Sequence, residues 1–436
     1  MTKYLIRAMV LPMTGPDDFY ENGEIAVVGD SIVFVGERGS APPDFVPDRI
    51  FDLKNDVVMP GLINTHTHAA MTMLRGYADD MPLMPWLEEK VWPFEARMNS
   101  EDMYWGSALA LCEMIRSGTT TMVDMYIKEE ETARAVLETG TRALLSRGMT
   151  GLDRKAASVA LQENIELFNN YHDAGQGRLK VLLGPHAPYT CPGEFLQTVK
   201  QEADRLGAGI HIHVAETKAE LATIKERYGT TPLRWLEDQG LFGGHLIAAH
   251  CVYLDEGELD ILKQYKIGVA HNAESNMKLN SGTALIPRML EKGISVGLGT
   301  DGASSNNDLD MFGEMRSASF QQKLVGSPED LKAYEVLDMA TNGGARVTGL
   351  KKLGRLAPGY KADLISIDFE QPHFYPRFSI PSHLVYCARG GDVRTVMVDG
   401  KIIMEDRRLL TLDERRICLE VEKRAKRIAF KVFNEN

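Results

Sequence analysis

Two histidines one residue apart, His66 and His68 in Asn64-Thr65-His66-Thr67-His68, close an apolar run from Val57 to Ile63 that only Pro60 and Gly61 interrupt. Side chains of an extended strand alternate with a period of two, so both imidazoles project from one face toward one point. That is half of a metal site. His211 and His213 end a second apolar run, and Asp301 follows a third, Val296-Gly297-Leu298-Gly299-Thr300. His66, His68, His213 and Asp301 together offer imidazoles and a carboxylate, a donor set suited to one Zn2+ per subunit that activates a water near neutral pH. Fe2+, Mn2+ or Ni2+ would also suit such donors. His213 lies nearer its strand tip than His211, which is expected deeper along the strand as a hydrogen-bonded core residue. Glu216, past His213 on the following loop, can reach the water or a substrate as a general acid/base. His250 ends a further run, where it could hydrogen-bond the attacking hydroxide, and Asp301 could take that water's proton while holding the metal.

These residues need a scaffold that brings distant strand ends together. Strand-like runs end near His68, Asp124, Arg147, His186, His213, His250, His271 and Asp301, with helical stretches between them. Such alternation predicts an α/β fold, a (β/α)8 TIM-like barrel whose reactive residues gather at the C-terminal ends of parallel strands. The helix signals are ordinary ones, such as Pro192 before a periodic stretch and Gly207 after it. Both chain ends are β-rich, with Gly29-Asp30 and Asp399-Gly400 as turn signals. They are expected to build one small β-sandwich domain, from residues 1–58 and 353–436, around a barrel at 59–352. Leu412 to about Val432 reads as a charged amphipathic helix packed on the surface.

With 436 residues the chain can bury a large core, and a barrel plus a smaller companion fits better than three compact domains. A net charge of -12 argues against nucleic-acid backbones and anionic membrane surfaces as partners, leaving small molecules. The N-terminal stretch lacks a secretory signal pattern, which points to the cytoplasm. Five scattered cysteines fit reduced thiols better than a disulfide framework. Self-association stays open.

NTHTH, HVAE at His213, AAHC at His250 and GTDGASSNN at Asp301 resemble the amidohydrolase superfamily in its mononuclear deaminase branch. Binuclear relatives carry a lysine where this chain has His186, so the resemblance implies a one-metal site. Longer segments, MTMLRGYADDMPLMPWLEEKVWPFEARM, GPHAPYTC, HNAESNMKLNSG, TDGASSNNDLDMF and HLVYCARGG, are similar to 5'-methylthioadenosine/S-adenosylhomocysteine deaminases. The resemblance implies hydrolysis of the adenine of those nucleosides to hypoxanthine with release of ammonia; adenosine and 5'-deoxyadenosine are further candidates. It also implies that Glu95 holds the ribose hydroxyls, Arg147 meets the polar end of the substrate, His186 contacts the purine, and Trp86 walls the sulfur side. Glu216 and Asp301 contact the substrate as well, Glu216 protonating N1. Arg154 is a further candidate for the substrate carboxylate. Ala273 departs from the family, where proline is commoner, which bears on loop rigidity rather than on chemistry.

The rival readings are an amidohydrolase acting on a triazine or another purine, which a substrate panel would separate, and a non-catalytic barrel, which should have lost a ligand.

Overall fold

The computed structural model describes residues 1–81 and 83–435. Pro82, inside the segment between Met71 and Met98, lies outside the described residues.

The expected strand runs form a barrel, with strands β1 (Leu62–Thr67), β2 (Thr119–Tyr126), β3 (Arg142–Met149), β4 (Leu179–Val181), β5 (Ile210–Val214), β6 (Leu246–His250), β7 (Gly268–His271) and β8 (Val296–Leu298). Pairing is parallel throughout, in two arcs, β1 to β4 and β5 to β8. Backbone hydrogen bonds join the arcs at both seams. Leu183 N–H donates to Gly209 O at 2.8 Å, and Asp301 N–H donates to His66 O at 3.0 Å. The second seam is tight: a Cβ on Gly299 would lie 2.8 Å from His66 N, so only glycine lets the chain after β8 approach β1 this closely. These strands are buried almost throughout, as strands covered on both faces must be. Two run further than their reactive residues suggested, β2 to Tyr126 and β3 to Met149.

The chain ends meet in one hydrogen-bonded path of eight strands, in which Arg49–Pro60 pairs with Lys3–Val10 on one side and Leu364–Asp368 on the other. Alternation decides what each face touches. Ile6, Ala8, Val10, Val58 and Leu364 join a cluster private to this sheet, whereas Met9, Val57, Met59, Ile365 and Ile367 join the main core. The predicted turns are present, with Gly29 at φ 61° and Asp399 and Gly400 at 47° and 68°. At the bottom of the barrel the Arg142 guanidinium contacts Asp363 at 3.0 Å and Asp399 at 2.7 Å, all three buried, tying β3 to the terminal sheet.

The last helix runs Glu414–Glu435 and turns Ile417, Val421, Ile428 and Val432 inward. Arg424 and Arg427 reach Asp102, which also completes the capping box of helix Ser100–Arg116 with Asn99. The helix predicted after Pro192 spans Gly193–Leu206 and stops at Gly207, φ 67°. All five cysteines are free. Among the described residues no helix is long and apolar enough to cross a membrane.

Candidate active site

The mouth of the barrel holds a cavity of about 470 Å³, lined by His68, His186, His213, Glu216, His250 and Asp301 on its floor and by Trp86, Trp92, Leu152 and Leu279 among its walls. Three strand ends supply the donors that fit a metal. β1 brings His66 and His68, β5 brings His213, and the turn after β8 brings Asp301. Asp301 Oδ1 lies 3.2 Å from His68 Nε2 and 3.4 Å from His66 Nε2, and His213 Nε2 lies 3.4 Å from His68 Nε2. The donor atoms of His66, His68 and His213 lie within 4.8 Å of one another, as do those of His66, His250 and Asp301.

The rings are oriented from behind. His68 Nδ1–H donates to Met125 O, and His213 Nδ1–H donates to His186 O at 2.7 Å, so both turn Nε2 to the centre. Asp301 is held by the hydroxyls of Ser275 at 2.7 Å and Ser305 at 2.8 Å, both on Oδ2, which leaves Oδ1 facing the imidazoles. His66 Nε2 is buried with no hydrogen-bond partner among the described residues. An orphaned lone pair among inward-facing imidazoles and a carboxylate is what a divalent cation would satisfy, so these residues fit a metal.

The backbone is strained where these groups turn inward. Ala215, His250, Cys251 and Asp301 all have left-handed φ, at 52°, 72°, 48° and 59°. Each such residue costs on the order of 1–3 kcal/mol, which the surrounding bonds must offset. At Ala215 the offset is visible: the Glu220 carboxylate accepts from Ala215 N–H at 3.0 Å and Glu216 N–H at 2.8 Å. That clamp aims Glu216 into the cavity, 4.0 Å from His250 Nε2. His250 Nδ1 is bonded to Asn276 Oδ1 at 2.9 Å.

Burial sets the protonation states. It raises Glu216 above the ordinary carboxyl range, with Asp301 adding to the shift and His250 opposing it. It lowers His66 and His186 to about 4, so both rings are neutral near pH 7. Burial alone would raise Asp301 too, but the His66 and His68 rings beside it outweigh that and hold the carboxyl well below its usual range.

The remaining expected residues divide. Glu95, Arg147, His186 and Trp86 all line the cavity. Trp86 and Glu95 sit on the helical stretch Leu83–Glu95 carried by the loop after β1. Arg147 is engaged by Glu163 at 2.8 Å and by Gly148 O, which leaves one edge of its fork for a ligand. Arg154 does not join them: its side chain is 90 % exposed, paired with Glu194, and absent from the cavity lining. The residue starts a helix capped by Asp153, and its side chain leaves from the outer face. His211 is buried below His213 on β5, as its position predicted, and bonds His66. Ala273 proves to have a chemical partner, since its N–H donates to the buried Glu314, a bond proline could not make.

Sequence reasoning missed Tyr126, whose hydroxyl donates to Glu95 Oε1 at 2.6 Å. Its signal was available, because Tyr126 shares a strand face with Asp124 two residues earlier. Ser275 and Ser305 carried no signal; single serines in loops acquire meaning only from what they touch.

The amidohydrolase family model matches residues 57–403. A 5-methylthioadenosine/S-adenosylhomocysteine deaminase of Desulfitobacterium hafniense (strain Y51) is 68 % identical over 98 % of this chain and 99 % of its own. One from Pelotomaculum thermopropionicum is 53 % identical over 98 % and 99 %. Among solved structures, an adenosine deaminase from Xanthomonas campestris with bound zinc superposes with a TM-score of 0.95 at 34 % identity, covering 98 % of both chains. An atrazine chlorohydrolase from Arthrobacter aurescens, at 24 % identity and TM-score 0.89 over 97 % of this chain and 100 % of its own, shares the fold alone. Matched along most of its length by the family model and along nearly all of it by close relatives, the chain belongs to the amidohydrolase family.

Proposed function

We propose that this protein is a metal-dependent hydrolytic deaminase of 5'-methylthioadenosine and S-adenosylhomocysteine, releasing ammonia and leaving hypoxanthine on the sugar. The observation that carries the reading is one cavity that joins a metal-fitting floor to a buried acid, Glu216, and to a second carboxylate, Glu95, under apolar walls. The similarity to relatives bearing that name covers nearly the whole chain.

His66, His68, His213 and Asp301 would hold one zinc ion. When bound, it supplies Lewis-acid activation of water near neutral pH. Asp301 and His250 would orient the attacking water, Asp301 accepting its proton through a carboxylate already fixed by two serines. Glu216, whose carboxyl burial raises above the ordinary range, would donate to purine N1 as C6 is attacked, and the proton taken up by Asp301 would leave with ammonia. His186 presents a neutral ring to the purine. Glu95 would accept from the ribose hydroxyls, Trp86 would cover the thioether, and the free edge of Arg147 would meet a polar 5' extension.

Ammonia release measured with methylthioadenosine, adenosylhomocysteine, adenosine, 5'-deoxyadenosine, guanine and an aminotriazine tests this. The thio-nucleosides should lead. A leading rate on guanine or the triazine would overturn the assignment.

A further inference from the structure

The orphaned nitrogen of His66 is explained by a chain of hydrogen bonds that runs away from the cavity. His66 Nδ1 lies 2.8 Å from His211 Nε2, His211 Nδ1 lies 3.2 Å from Ser146 Oγ, and Ser146 Oγ lies 2.8 Å from the carbonyl oxygen of Asp124. His66, Ser146 and His211 are each 0 % exposed, so solvent does not reach the chain.

Its polarity follows from the end that has no choice. A carbonyl oxygen can only accept, so the single hydroxyl proton of Ser146 is committed to Asp124 O. Toward His211, Ser146 Oγ must then act as acceptor, which puts a proton on His211 Nδ1. His211 is fully buried and its two nitrogens face His66 and Ser146, neither of them a carboxylate, so no counter-charge supports a second proton on the ring and it stays neutral. A neutral imidazole carries one proton, so His211 Nε2 is a bare lone pair that accepts from His66 Nδ1–H. In the neutral ring, the form that can bind a metal, His66 Nε2 is then left bare, 3.4 Å from the Asp301 carboxylate and without a hydrogen-bond partner among the described residues. Reversed polarity would put hydrogen on His66 Nε2 and block ligation.

We propose that His211 is a positioning residue: it fixes His66 in the tautomer whose Nε2 can bind a metal, and the Ser146 hydroxyl sets the direction of that choice. This rests on His66 being a ligand. A core histidine that merely fills space would be satisfied in either tautomer, whereas here only one orientation of the whole chain leaves every proton placed.

The test is zinc affinity of the apoprotein, read by competition with a chromophoric chelator, for wild type, Ser146→Ala, Ser146→Thr, His211→Phe and the double variant Ser146→Ala/His211→Phe. Loss of a group that orients a ligand weakens metal binding about 10- to 100-fold. His211→Phe should fall in that range, Ser146→Ala should lose about tenfold at most, and Ser146→Thr, which keeps a hydroxyl, should recover wild-type affinity. Because Ser146 acts through His211, the double variant should bind zinc as His211→Phe does. Wild-type affinity in His211→Phe, or additive losses in the double variant, overturns the relay. Failure of the wild type to bind zinc overturns the metal reading itself and the relay with it. Ser146→Ala removes a single oxygen and keeps the comparison open should His211→Phe not fold.

Discussion

Glu95 and Tyr126 give the sharpest test of how the cavity would recognise a sugar. Glu95 is carried by the helical stretch after β1, and Tyr126 stands at the end of β2 and donates to Glu95 Oε1 at 2.6 Å. That bond leaves Oε2 for a ligand and fixes the plane of the carboxylate. A hydrogen bond from a hydroxyl to an ionised acceptor contributes about 1.5–3 kcal/mol, or roughly ten- to 150-fold in an equilibrium. Wild type should therefore favour methylthioadenosine over its 2'-deoxy or 3'-deoxy analogue by a factor in that range, read as kcat/KM. Glu95→Gln should bring the preference to within about threefold, acting on the ribosyl substrate and sparing the deoxy analogues. Tyr126→Phe loses only the positioning bond, about 0.5–1.5 kcal/mol, and should erode the preference by about two- to tenfold. The preference should also depend on pH. Burial lifts the Glu95 carboxyl to about 7, with Tyr126 and His68 pulling it down, so the better acceptor forms as pH rises through about 7. Removing Tyr126 removes a bond that favours the ionised form, so that limb should move to higher pH. An unchanged ribose preference in Glu95→Gln would refute the reasoning, and an unchanged preference in Tyr126→Phe alone would refute the positioning.

Glu216→Gln should lower kcat for ammonia release by about 10²- to 10⁴-fold, the usual worth of a general acid/base, with zinc content unchanged; near-normal release would remove Glu216 from the chemistry. Zinc analysis should find one equivalent per chain. Chelation should abolish activity and lower the thermal midpoint, since an ion present at about 100 times its Kd stabilises by about 2.7 kcal/mol; a second tightly held equivalent would contradict the one-metal site. Arg142→Leu strands two buried carboxylates, Asp363 and Asp399, and should lose about 3–5 kcal/mol in urea denaturation. A loss under about 1 kcal/mol would mean that water reaches the triad.

Much of the fold was legible because alternation of apolar runs is a local property. Each barrel run could be recognised from its own residues, and the turn and cap signals at Gly29, Asp399-Gly400 and Gly207 act within a few positions. The outer limits of β2 and β3 were not legible, because Asp124 and Arg147-Gly148 interrupt the apolar runs and the residues beyond owe their strand conformation to pairing with neighbours such as Tyr126 with Arg147. Arg154 stayed an open candidate in the sequence because an arginine in a loop after a barrel strand has the right chemistry; its direction depends on the helix it starts, and there its side chain is exposed and paired with Glu194.

The sequence by itself determined the donor set. HxH at the end of an apolar strand, a histidine ending β5 and an aspartate after β8 are fixed by residue type and by a period of two, both readable without a third dimension. What only the tertiary structure decided is which atom of each residue faces the centre. The choice of Nε2 over Nδ1 on His66, His68 and His213 is made by acceptors far away in the chain, namely His211, Met125 O and His186 O. Tyr126 and Glu95 meet only because the loop after β1 folds back over β2. A hydrogen bond is a short-range, directional contact, so its partner is set by where the fold places two atoms and not by where their residues stand in the sequence.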